Sequence, residues 1–328
     1  MLANALKATL KTAILAVTVL LLTPGFASAQ AKVTLQASQQ TTTLPDGNVV
    51  PMWGWTCGDY LTTVVASSGA TCTALTYNTA TGLLNPQTGG TTWQPPLIVV
   101  PYVPGGTNLT VNLTNTLPVE TSIMIIGQAG GSLGTPQRES GPRTDGAHAG
   151  QTSTTWTTVV GGSFTPPSQA NRVRSFVPEV AGVASVGATP AAGTYSWTNL
   201  NPGTYLIRTG TYPSIQGPMG LYGVLVVTKA PATGTPGLAY PVPAGQTTTG
   251  VTYDADVVAL ESEIDARQNK MVAALFQSAV APATANAGFS ETAKWTLQCG
   301  AATDSLLTAA GQYLRVIHRL WITLRSIF

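Results

Sequence analysis

Short runs in which apolar and polar residues alternate with a period of two dominate this chain, and Gly/Pro clusters separate them. The clearest is PPLIVVPYVPGGTNLTVNLTNTLP, Pro95 to Pro118, where LIVV runs to a turn at Pro104-Gly105-Gly106 before Leu109, Val111 and Leu113 alternate with Asn and Thr. Lys32 to Gln39 reads as a first strand, and Pro45-Asp46-Gly47 supplies a turn. VVPMWGWTCG then places Trp53 and Trp55 as core aromatics, and Tyr195 and Trp197 of AGTYSWTNL share one strand face. From Asn201 to Val227, NPGTYLIRTGTYPSIQGPMGLYGVLVV predicts two strands joined by an irregular loop. These elements predict an all-β sandwich over residues 32–229.

Other stretches are less regular. Leu61 to Thr92 is a Thr/Ser/Gly-rich insertion that reads as a hairpin-bearing surface loop, and residues 230–250 read as an extended Pro/Ala/Gly linker and domain boundary. Val251 to Leu260 is expected as a strand, followed by a charged stretch with helical potential. Glu261, Glu263 and Asp265 lack the offsets and glycine of a calcium loop and read as a solvated face. The tail LLTAAGQYLRVIHRLWITLRSIF sets Leu314, Ile317, Leu320, Trp321 and Leu324 at helical spacing among Arg315, His318, Arg319 and Arg325. Three readings fit it: a basic amphipathic helix on a membrane surface, a helix packed on the sandwich, or an out-of-frame end.

Residues 1–29 combine Lys7 and Lys11, an apolar run from Ala13 to Leu22 and Ala27-Ser28-Ala29, the pattern of a cleaved secretory signal peptide. Outside that leader the 13 acidic residues are matched by as many basic ones, and charged residues make up only 9% of the chain. No basic stripe suggests nucleic acid, and the composition suits a secreted, periplasmic or cell-surface β-protein. In an oxidising compartment Cys57 and Cys72, flanking a Gly/Ser-containing loop, are the expected disulfide, with free thiols as the alternative; Cys299 is left without an assigned partner.

Catalytic patterns are sparse. No G-x-S-x-G elbow and no phosphate loop of the G-x-x-x-x-G-K-[ST] type occurs. Arg138, Glu139, Arg143, Asp145 and His148 lie near one another in sequence, but no spacing makes them an acid/base group, and His148 reads as a solvated loop residue.

The turn-and-strand wording GTYLIRTG followed by GLYGVLVV resembles the multicopper oxidases, where "PGTYWYHSH" delivers copper-binding histidines ahead of a "GLYGxLIV" strand. TSIMIIGQ, Thr121 to Gln128, is similar to the family's "TSIHxHGQ". The resemblance covers roughly Val33 to Val227 and implies a cupredoxin-like (plastocyanin-like) Greek-key β-sandwich, with residues 251–328 as the truncated start of a second such domain. In the family copper is held by histidines at positions that here carry Met124, Ile126, Arg208 and Gly210. Alternation puts positions 124 and 126 on one strand face, and Met124, beside isoleucines, is expected in the core. Arg208 is expected to reach solvent or pair with a carboxylate. The chain has two histidines, His148 and His318, too few for the family's copper centres.

No catalytic residue and no cofactor is therefore expected of this chain. It reads as a secreted, catalytically inactive cupredoxin-like protein of the multicopper oxidase family. The alternative is an N-terminal fragment or subunit of a copper-dependent oxidoreductase whose copper-binding domain lies elsewhere. A further cupredoxin domain or subunit is the implied partner.

Overall fold

The computed structural model describes residues 30–59, 67–76, 92–138, 173–183, 188–241, 250–277 and 318–320. The leader, Cys299, His148, Glu139, Arg143 and Asp145 lie outside them.

Two five-stranded sheets face each other. The first runs β10 (Ala191–Trp197), β6 (Asn108–Asn115), β1 (Gln30–Thr43), β2 (Val49–Cys57), with β3 (Ser67–Ser68) also on β1. The second runs β4 (Thr71–Ala74), β5 (Pro96–Pro101), β12 (Tyr222–Thr228), β11 (Gly203–Arg208), β7 (Met124–Ile125). Each sheet has one parallel pair, β1 with β6 and β12 with β5, among antiparallel neighbours. Strands distant in sequence therefore lie side by side, as in the Greek-key sandwich that was expected.

The period of two decides which residues fill the core. Val33, Leu35 and Ala37 of β1, Leu109, Val111 and Leu113 of β6, and Tyr195 and Trp197 of β10 share a buried cluster with Ile98, Val100, Ile207, Leu225 and Val227 of the other sheet. Trp53 and Trp55 join that cluster as the sequence predicts. On the outward side of the first sheet the polar half of the alternation forms cross-strand pairs, Thr194 Oγ1 donating to Asn112 Oδ1 at 3.0 Å and Thr110 lying 3.3 Å from Ser196. Cys57 and Cys72 form the expected disulfide, with Cα atoms 5.7 Å apart, and it ties β2 of one sheet to β4 of the other.

After β12 residues 229–241 and 250–277 stay on the same sandwich. β13 (Gly237–Tyr240) pairs with β14 (Val251–Tyr253), so part of the stretch expected as extended linker is strand. The strand expected over Val251 to Leu260 ends at Tyr253, because the following residues turn to lay Val258 and Leu260 across Leu97, Val224 and Val226 on the outward face of the second sheet. Tyr222 Oη donates to Ser262 Oγ at 2.7 Å and Thr228 Oγ1 lies 3.0 Å from Tyr253 Oη, which fasten this segment down. β15 (Ser262–Ile264) follows, then α2 (Ala266–Gln277), whose first turn is capped by Asp265 Oδ1 accepting from the backbone N–H groups of Arg267 and Gln268. Asn269 and Lys270 hold α2 to β2 and its preceding turn, through Pro51 O at 3.0 Å and Asn48 Oδ1 at 2.7 Å. Of the three readings of the tail, neither helical one describes residues 318–320, which form β16 (His318–Leu320), antiparallel to β15; the rest of the tail lies outside the described residues.

Candidate functional site

The stretches around 124 and 208 meet on the outward face of the second sheet. β11 pairs antiparallel with β7, setting Arg208 opposite Met124 and Ile207 opposite Ile125. Ile126 continues the pairing by donating its N–H to Leu206 O at 2.9 Å. Register and alternation together make two faces. Ile125 and Ile207 point into the core at 3% and 1% exposure, while Met124, Ile126, Leu206 and Arg208 form a two-by-two block facing outward. Positions 124 and 126 do share a face, as alternation implies. The expectation that Met124 is a core residue is corrected: it is half-buried at the core's edge, because the register of β7 assigns the inward place to Ile125. Ile126 is 42% exposed and Leu206 37%.

Arg208 is half-buried, so it reaches solvent, and no acceptor for it occurs among the described residues. Its Nη2 passes 3.9 Å from where a Cβ on Gly217 would stand, at the C-terminal end of the short helix α1 (Pro213–Gln216). On its other side Tyr222 is its register partner. Burial pushes the Tyr222 phenol up to about 12, opposed by its hydrogen bond to Ser262, so the group is neutral at physiological pH.

Gly210 closes the group from below. A Cβ there would lie 3.6 Å from Met124 Sδ but only 3.0 Å from Val177 Cγ2 and 3.1 Å from Ser122 Oγ, so the backbone is packed too closely for a side chain without displacement. Gly210 N–H donates to Ser122 Oγ at 3.1 Å. That hydroxyl belongs to a buried network: Ser122 Oγ is 2.8 Å from Thr211 Oγ1, Thr211 donates to Ser175 Oγ at 3.1 Å, and Ser175 donates to Val177 O at 2.7 Å. Beside it, Thr121 and Thr209 both donate to Gln216 Oε1 at 2.8 Å, and Gln216 Nε2 donates to Glu120 O. Among the described residues these hydroxyls bond to one another and to the backbone, and Thr211 also stands beside the Glu179 carboxyl.

Next to this network Glu179 accepts from Arg174 Nε at 2.9 Å and Nη2 at 2.7 Å through Oε2. Its Oε1 is buried without a hydrogen-bond partner among the described residues. Burial pushes the Glu179 carboxyl up, against the pull of Arg174. Sequence patterns do not single out Ser122, Ser175, Thr211 or Glu179, because they are far apart in the chain and fall on no common period. Of the charged residues considered from the sequence, Arg138 lies on β8 (Gln137–Arg138), paired with β9 (Val173–Ser175), and Glu261, Glu263 and Asp265 lie at β15 and the start of α2, while Glu139, Arg143, Asp145 and His148 lie outside the described residues.

The donor set does not fit copper. A thioether is a soft ligand that needs imidazole or thiolate company, isoleucine and glycine side chains have no lone pair to give, and a guanidinium is a cation without an acceptor. Among the described residues no three His, Cys, Asp or Glu side chains are grouped to hold a metal ion.

No protein-family model matches this chain, and no curated protein does. Among solved structures, similarity is found to a multicopper oxidase from Campylobacter jejuni at 15% identity and a TM-score of 0.28, over 62% of this chain and 27% of that one. A copper nitrite reductase from Nitrosomonas europaea matches at 13% identity and a TM-score of 0.34, over 74% of this chain and 52% of that one. A laccase from Botrytis aclada matches at 16% identity and a TM-score of 0.28, over 60% of this chain and 22% of that one. The chain thus spans from about a quarter to about half of the length of these structures. Likenesses this distant transfer no activity to the chain.

Proposed function

We propose that this chain is a secreted cupredoxin-like module of the multicopper oxidase type that has no copper centre of its own and no oxidase activity. The observation that carries the reading is the register of β7 on β11. It gathers Met124, Arg208 and Gly210 at one point, as a ligand set would have to be gathered, and none of the three side chains except the thioether offers a lone pair. The frame of a metal site is retained in backbone pairing while its chemistry is replaced by an apolar strip around one cation. The leader of residues 1–29, the low charge and the Cys57–Cys72 disulfide support an address outside the cytoplasm. A role in packing, attachment or assembly follows for residues 32–229, with a further domain or subunit as a candidate partner.

The test is oxygen consumption by the purified chain after anaerobic copper loading and desalting, with phenolic and metal-ion substrates. The reading expects no substrate-dependent uptake above a buffer-and-copper control. Turnover that follows the protein through purification would overturn it.

A further inference from the structure

Arg208 is the only charged residue in the five strands of the second sheet. It stands half-buried with no acceptor among the described residues, at one end of an apolar strip made by Met124, Ile126 and Leu206. A guanidinium partly withdrawn from water presents a planar fork of donors whose best partner is a carboxylate, bound bidentately. The nearby hydroxyls of Ser122 and Thr211 are engaged with each other, and Tyr222 Oη is engaged with Ser262. The strip is bounded on its other flank, because Val224, the register partner of Leu206, is already buried under Val258 and Leu260. Apolar surface left at Ile126 and Leu206, 42% and 37% exposed, gains from being covered in proportion to its area.

We propose that Arg208, Met124, Ile126 and Leu206 form a binding site for a small amphiphilic monocarboxylate, the carboxylate on the Arg208 guanidinium and the apolar chain along Ile126 and Leu206. From the Arg208–Met124 pair to the Leu206–Ile126 pair is two residues of strand, roughly 7 Å, so the strip covers about five or six methylenes of a bound chain and leaves the end of a longer one in solvent. Neither head nor tail suffices alone. The half-buried guanidinium, still open to water, holds a bare carboxylate only weakly, and the strip is too small to hold a neutral alkyl chain firmly. The inference rests on the reading that these positions do not take copper.

The experiment is isothermal titration of the full chain with sodium decanoate below its micelle concentration, with the copper content of the same sample measured. Acetate serves as the head-only probe, and decyltrimethylammonium presents the same tail with a cationic head. Saturable one-site binding of decanoate is expected, at least about tenfold tighter than either control, since acetate lacks the methylenes that cover the strip and the cationic head lacks the charged hydrogen-bond pair. Arg208→Gln is expected to weaken decanoate by about tenfold or more and Arg208→Lys by less, because lysine keeps the charge and loses the fork. The double variant Ile126→Asn, Leu206→Asn is expected to weaken decanoate while leaving acetate unchanged; both side chains are surface-exposed, so folding is kept, and an unchanged Tm verifies it. Absence of saturable decanoate binding overturns the proposal, as does equal binding of decyltrimethylammonium or unchanged binding by Arg208→Gln. Copper-free protein that fails to bind decanoate sinks this inference alone. Stoichiometric copper in the sample sinks the reading beneath it instead.

Discussion

The outward face of the second sheet is divided into two halves that differ in what covers them. On β5 and β12, Leu97, Val224 and Val226 lie under Val258 and Leu260, and the cover is fastened by the hydrogen bonds of Ser262 to Tyr222 and of Tyr253 to Thr228. On β11 and β7, one strand over, Ile126 and Leu206 are exposed and Arg208 has no acceptor among the described residues. Both halves are built from apolar strand residues at the same spacing. The difference teaches that sheet geometry does not decide whether a face is structural or available; the chain segment laid over it does.

The largest effects belong to the closed interior. Trp55→Ala and Trp197→Ala remove side chains that are 0% and 1% exposed, and each is expected to cost about 3–5 kcal/mol in urea unfolding. A loss below about 1 kcal/mol at either position would show that the core is not packed as described. Reduction of the Cys57–Cys72 disulfide, or its removal by Cys57→Ser with Cys72→Ser, is expected to cost about 3 kcal/mol for a closed loop with a sequence separation of 15. Unfolding monitored with and without reductant reads it directly.

The covered and open halves of the second sheet separate at the next level. Leu260→Ala, under the cover, is expected to cost about 2 kcal/mol, whereas Ile126→Ala or Leu206→Ala should stay within about 0.5 kcal/mol. Equal losses on both sides would mean that the open half has a cover after all.

The sequence made the closed parts legible and the open half only in part. Alternation in β6 and in the Tyr195-Ser196-Trp197 end of β10 announces their inward faces because one polar residue separates each pair of apolar ones, and in β2 a glycine separates the two tryptophans. Ile123-Met124-Ile125-Ile126 has no such separation, so its faces become readable only once Arg208 is seen opposite Met124. TSIMIIGQ and GTYLIRTG, the two stretches that resemble copper motifs, meet where β7 pairs with β11. The resemblance said nothing of Ser122, Ser175 and Thr211, whose hydrogen bonds span 36 to 89 residues and leave no local pattern. The cover over β5 and β12 was missed for a related reason. Val258 and Leu260 alternate as a strand would, yet after Tyr253 they are held by side-chain packing instead of by a ladder.

A smaller effect concerns Glu179. Its carboxyl is raised in the folded chain, so the native state keeps the proton to higher pH than the unfolded chain does. The stability this gives is fully present below the unfolded value and is lost as the pH rises through the folded one. Wild type should therefore weaken over that interval as Glu179 ionises beside its unpartnered Oε1, and Glu179→Gln should flatten that part of the profile. Thermal unfolding across a pH series checks it; a slope that is the same in both proteins would assign the pH dependence elsewhere.

The central claim, that the gathered positions on β7 and β11 do not make a copper site, is tested most directly by metal analysis of the wild-type chain after anaerobic loading with copper and extensive desalting. The account predicts well below one copper per chain, and no increase in the double variant Met124→His, Arg208→His beyond weak, easily chelated binding, since Ile126 and Gly210 still offer no side-chain donor. Stoichiometric copper retained by the wild-type chain, and lost on Met124→Leu, would contradict it.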